Sequence, residues 1–101
     1  VVFAAPVYYY GIPGQLKTLL DRCNPLYSSD YRFRNVYLLA AAAESEASTV
    51  DGSVQGIQGW VDCFEKATLA GTVFAGGVTT PGEIAEHSAL RQAYETGKSI
   101  H

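Results

Sequence analysis

The stretch VVFAAPVYYYGIPGQLKTLLDR, residues 1–22, decides how this chain reads. Val1 to Val7 is a nearly unbroken apolar run, the kind that forms a strand buried on both faces of a parallel sheet. Pro13 and Gly14 mark a turn or a first helical turn. Leu16, Leu19, Leu20 and Cys23 then fall at the spacing of one helix face. Lys17 and Asp21, four apart on the other side, form a weak ion pair, and Asn24 with Pro25 ends the helix. Between strand and helix stand Tyr8, Tyr9 and Tyr10. A strand alternates its faces, so three consecutive rings cannot share one core. At least one ring serves a purpose other than packing.

The same alternation continues outward from this unit. Residues 26–35 form a polar and aromatic connection, and VYLLAAAA at 36–43 is a second buried strand. ESEASTVDGS at 44–53 is small, acidic and polar, which predicts a loop. A helix over 54–68 follows, with Ile57, Trp60, Val61 and Phe64 on one face and Trp60 in the core. Gly56 and Gly59 inside it each cost about 1 kcal/mol relative to Ala, so they imply close backbone packing or local fraying. LAGTVFAGGV at 69–78 is the third strand, TTPGEIAEH a turn-rich loop, and SALRQAYETGKSI at 88–100 the last helix. Ser88 is its candidate N-cap, and Leu90, Ala93, Tyr94 and Gly97 its packing face. The order β-α-β-α-β-α implies an α/β fold: a doubly wound parallel sheet covered on both faces. Three strands are fewer than the five or so of a complete sheet of this kind.

Composition narrows the classes. The 101 residues allow one small domain, and 48% hydrophobic with 17% charged residues describes a globular chain. Net charge is −3, and the seven Lys and Arg are scattered, which argues against nucleic acid as a partner. No apolar run reaches the roughly 18 residues of a membrane span, and no basic leader precedes Val1. Cys23 and Cys63 lie far apart and outside any metal-ligand spacing with His87 or His101. They read as thiols of a reducing, cytoplasmic compartment.

Ligands of open parallel sheets bind beyond the carboxyl ends of the strands. PVYYYG, AAAES and GGVTTPGE all fall there. The first offers flat aromatic rings, and the second offers small residues that let a planar molecule approach the backbone. A planar heterocycle is the fitting occupant. VFAAPVYYYGIPGQLKTLLDR resembles the strand-loop-helix of the NADPH-dependent FMN reductase family, which has the flavodoxin-like fold. STVDGSVQGI, AGTVFAGGVTTPGEI and ALRQAYETGKSI are similar to that family's last two βα units. The resemblance implies an FMN-binding oxidoreductase that takes a hydride from NAD(P)H, with the cofactor carrying the chemistry and no catalytic acid or base in the protein. It implies flavin contacts from Pro6, Val7, Tyr8, Tyr9, Tyr10 and Gly11, and from Ala42, Ala43 and Glu44 at the ring's polar edge.

The same resemblance predicts that residues 1–101 are the C-terminal portion of a flavodoxin-like domain without its N-terminal, phosphate-gripping half. Such a chain holds FMN weakly or is inactive alone. Its first strand then has an open edge, an aggregation template unless covered. Two partners are expected there: a second copy, giving a dimer with a continuous sheet, or the missing N-terminal segment. The alternative is a non-catalytic module that assembles by edge pairing and binds no flavin.

Overall fold

The computed structural model describes residues 1–100. Three parallel strands, β1 (Val2–Pro6), β2 (Asn35–Ala41) and β3 (Thr68–Ala75), stand in the order β1-β2-β3. Helices α1 (Gly14–Arg22), α2 (Asp51–Asp62) and α3 (Ser88–Lys98) follow them in turn. Short 3-10 turns precede or follow them at Asn24–Leu26, Ala47–Val50 and Glu83–Glu86. This is the predicted β-α-β-α-β-α order, the arrangement of a partial flavodoxin-like fold.

The central strand organises the packing. Val36, Leu38 and Ala40 of β2 meet Leu20 of α1 and Val50, Ile57 and Val61 beside or within α2. The alternate residues Leu39 and Ala41 pack toward Val73 and Ala75 of β3 and Ala89 of α3. Helices therefore lie on both faces of β2, which explains its unbroken apolar sequence. Burying side chains such as Leu38 and Ile57 contributes about 1.5–3 kcal/mol each.

β1 departs from expectation. Phe3 packs against the first cluster, but Val2, Ala4 and Pro6 are exposed. α1 and α2 serve one face, whereas the α3 cluster on the other face draws on β2 and β3. The run Val1–Val7 is thus covered on one face, not two, and β1 has a neighbour on one side only.

Element ends also shift, each for a local reason. β2 stops at Ala41, which leaves Ala42 and Ala43 in the following loop. β3 stops at Ala75 because Gly77 turns the chain at φ +75°, and a Cβ on Gly76 would lie 2.9 Å from the Glu44 carbonyl oxygen. α2 begins at Asp51, not Val54, because a 3-10 turn that buries Thr49 and Val50 leads into it, and it ends at Asp62. The N-cap of α3 is His87 instead of Ser88: its Nδ1 accepts from the Ala89 N–H at 3.0 Å while Nε2 meets the Gly76 carbonyl at 2.8 Å. The packing face of α3 consists of small residues, Ala89 and Ala93, with Thr96 half-buried beside them. Leu90, Tyr94 and Gly97 face solvent instead. A helix lying close on a sheet admits alanines where leucines would hold it away.

Two aromatic residues of the 26–35 connection are structural. Tyr31 and Phe33 join Phe64 and Trp60 in one cluster, and Phe33 stacks on Trp60 at 5.5 Å between ring centroids. Trp60 also meets Phe3 edge-on and donates its indole N–H to the Leu20 carbonyl at 3.2 Å, tying α2 to β1 and α1. Lys17 and Asp21 pair at 2.6 Å as the spacing predicts.

The glycines of α2 sort by what a side chain would meet. At Gly56 a Cβ would make ordinary contact with Ile12 at 3.7 Å, and at Gly59 it would meet nothing within 4 Å. Neither is the close backbone approach that the sequence implied. Gly52 is: a Cβ there would sit 1.9 Å from the Tyr10 carbonyl oxygen. Opposite outcomes are expected for the same substitution, measured by urea denaturation. Gly59→Ala raises stability by about 1 kcal/mol through helix propensity. Gly52→Ala lowers it by about 1–3 kcal/mol, since overlap with backbone outweighs the same propensity gain.

Candidate functional site

The three tyrosines form a two-residue hairpin at the carboxyl end of β1. Tyr8 N–H donates to the Gly11 carbonyl and Gly11 N–H to the Tyr8 carbonyl, both at 3.0 Å. Tyr9 and Tyr10, the two central residues, have φ of 48° and 62°. Such a turn needs left-handed backbone at both central positions and normally takes Asn-Gly. Bulky side chains pay about 1–3 kcal/mol each for that conformation. The local sequence thus opposes the turn it adopts, and the rings gain little packing in return: Tyr9 is fully exposed, and Tyr8 and Tyr10 are more than half exposed.

Neighbouring loops hold the turn in place. The Tyr10 hydroxyl donates to Glu44 Oε1 at 2.5 Å. That hydrogen bond, with the negative charge of the same carboxylate, raises the Tyr10 pKa above the ordinary phenol value, so the hydroxyl stays a donor at neutral pH. From behind, the Tyr10 carbonyl rests against Gly52 at the start of α2. The loop after β2 is stitched to the loop after β3: Ala42 N–H donates to Ala75 at 3.0 Å, Gly77 N–H to Glu44 at 3.1 Å and Val78 N–H to Ala42 at 3.0 Å. Farther along, Glu83 accepts from the Thr79 N–H and the Thr80 hydroxyl, which holds its carboxyl below the usual carboxylate range.

A cavity of about 220 Å³ opens between these loops. Six of the nine residues predicted for the site line it: Val7, Tyr9, Tyr10, Ala42, Ala43 and Glu44. Tyr8 and Gly11 form the hydrogen-bonded base of the turn, outside the lining. Pro6 ends β1 and borders a different, apolar groove over the uncovered part of the sheet. Thr49 completes the lining and was not foreseen, since ESEASTVDGS reads as a solvated loop. The signal that could have found it is Ser-Thr ahead of Asp-Gly at a helix start. Among the described residues, the N–H groups of Tyr9, Tyr10, Ala43 and Glu44 donate to no protein acceptor. No cationic side chain lines the cavity.

A larger groove of about 790 Å³ lies between α1 and α2, walled by Leu20, Trp60 and Phe64 with the free thiols of Cys23 and Cys63. It shares no lining residue with the tyrosine cavity and brings no convergent donors or charges together.

The family model for NADPH-dependent FMN reductase matches residues 1–76, which span β1 through β3 and the tyrosine turn. The chain belongs to the NADPH-dependent FMN reductase family. No curated protein and no solved structure matched it. The family is one of flavin-binding, NADPH-dependent reductases, and the match takes in all nine residues expected at the site. No helix among the described residues is long and apolar enough to cross a membrane.

For this member of the reductase family, the tyrosine turn separates stability from function. The double substitution Tyr9→Asn, Tyr10→Gly supplies the residues the backbone prefers. It is expected to stabilise the fold by about 1 kcal/mol in urea denaturation, relief of backbone strain exceeding loss of the exposed Tyr10–Glu44 bond. If the rings serve a planar ligand, the same variant loses affinity for it.

Proposed function

We propose that the tyrosine turn and the cavity beside it hold the ring of FMN, and that the chain acts as part of an NAD(P)H-dependent flavin oxidoreductase. The observation that carries this reading is the pair of exposed aromatic residues kept in a strained, left-handed turn at the ligand-binding end of the sheet. Strain of this kind persists where the surrounding structure enforces it, and it concentrates at ligand sites.

The chemistry of the lining fits the ring. A cavity of 220 Å³ is smaller than the roughly 300 Å³ of the smallest drug-sized sites, so it takes the edge of a ring and leaves a face for the tyrosines. The unpaired N–H groups of Ala43 and Glu44 suit the ring carbonyls, and the Glu44 carboxylate suits a ring N–H. Ala42 and Ala43 keep side-chain bulk away from the approach. FMN, when bound, supplies the acceptor for a hydride from the nicotinamide. The protein's part is to bind and orient, and no side chain here is assigned as an acid or base.

The lining has no cation to meet a phosphate, so the ring contacts stand alone. Stacking adds only about 0.5–1.5 kcal/mol per aromatic pair beyond burial. These residues by themselves therefore bind FMN weakly and turn over slowly or not at all. The test is titration of FMN with the protein, followed by flavin fluorescence and absorbance near 450 nm (roughly, as for free flavin). Quenching that saturates and is lost in Tyr9→Ala is expected. Fluorescence unchanged at millimolar protein overturns the flavin reading.

A second reading rests on the sheet edge. β1 is unpaired on one side, and Val2, Ala4 and Pro6 lie exposed on its uncovered face. In this reading the module is non-catalytic, binds no flavin and pairs its edge with a second copy across a twofold axis, a role that an N-terminal segment of flavodoxin-like sequence could fill instead. Light scattering after size exclusion checks it. A dimer is expected that dissociates when Ala4 is replaced by Pro, and a monodisperse monomer counts against the copy pairing.

A further inference from the structure

Two buried hydroxyls have no hydrogen-bond partner: Thr49 Oγ1 and Ser53 Oγ. They lie one helical turn apart, on either side of the point where Gly52 meets the Tyr10 carbonyl. Thr49 is 4% exposed, yet it lines the tyrosine cavity, whereas Ser53 lies outside that lining. A buried hydroxyl left unpaired is unfavourable, and native chains retain few of them. Nothing in the packing of the 3-10 turn requires oxygen at this position: valine has the same shape without the unpaired group. The hydroxyl is therefore a liability to the empty fold that a polar ligand atom would remove.

We infer that Thr49 is a ring-positioning residue, its hydroxyl pairing with a polar edge atom of the heterocycle that occupies the cavity. The inference rests on the flavin reading above and extends it to one atom. The other polar groups around the cavity are already directed elsewhere or have a fixed sense. The Tyr10 hydroxyl is spent on Glu44, the Glu44 carboxylate only accepts, and the free N–H groups of Ala43 and Glu44 only donate. A threonine hydroxyl does either, so it accommodates a ring nitrogen that changes from acceptor to donor when the ring is reduced. It also stands on the segment fixed to α2, away from the strained turn, and so holds a set position while the tyrosines adjust.

The test compares wild type, Thr49→Val and Thr49→Ser in two measurements. The first is the melting temperature without ligand. The second is affinity for lumiflavin, the flavin ring without its phosphate tail, read by fluorescence quenching. Thr49→Val is expected to melt about 4–8 °C higher, because it removes the unpaired group, and to bind lumiflavin about three- to tenfold more weakly. Thr49→Ser is expected to keep the wild-type affinity. If Thr49→Val melts lower than wild type, the hydroxyl serves the fold, and the inference fails. If wild type and Thr49→Val bind lumiflavin equally, the ring does not use this hydroxyl: the inference fails and the flavin reading stands. If wild type binds neither lumiflavin nor FMN, both fail together.

Discussion

The carbonyl oxygen of Tyr10 presses on the backbone of Gly52, where even one methyl group would overlap it. On this contact depends the relation between two elements that sequence separates by a helix, a connection and a strand. It sets how closely the start of α2 approaches the end of β1, and so how wide the space between them is. Glu44 holds the same residue by its hydroxyl from the other side. Tyr10 is thereby fixed at both ends, by its carbonyl against a helix and its phenol against a loop. That double restraint is what sustains a left-handed backbone in a residue that disfavours it.

The site is built from loops, yet it is not loosely built. Main-chain hydrogen bonds join the segment after β2 to the segment after β3, and the tyrosine hairpin closes on itself. Side chains contribute aromatic faces and one carboxylate, while the donors are backbone. Such an arrangement recognises the shape and edge pattern of a flat molecule more than any charge it carries. This agrees with a family whose shared chemistry resides in its cofactor.

The fold was legible because periodicity is strong in its central parts. β2 is apolar on both faces and is covered on both, and the faces of α1 and α2 follow from their leucine, isoleucine and valine spacing. The site segments were legible by position, since strand ends in a parallel sheet place loops together whatever their composition. What remained hidden depended on contacts between distant residues. Nothing in GIPGQ or TVDGS announces that Gly52 touches Tyr10, so Gly56 and Gly59 drew attention that belonged to Gly52. Thr49 was lost inside an acidic stretch because burial, not residue type, gives it significance. The coverage of β1 was misjudged because an apolar run reports what a strand can bury, not what stands beside it.

One imidazole has a consequence for how this fold can vary. His87 joins the carbonyl that follows β3 to the first amide of α3, using both ring nitrogens. The segment it spans is consequently clipped at its base, and α3 is docked by the clip instead of by the path of the chain between. Insertions or deletions within residues 77–86 would leave the helix seated where it is, so this loop is free to diverge in length among relatives and to present new surface beside the cavity.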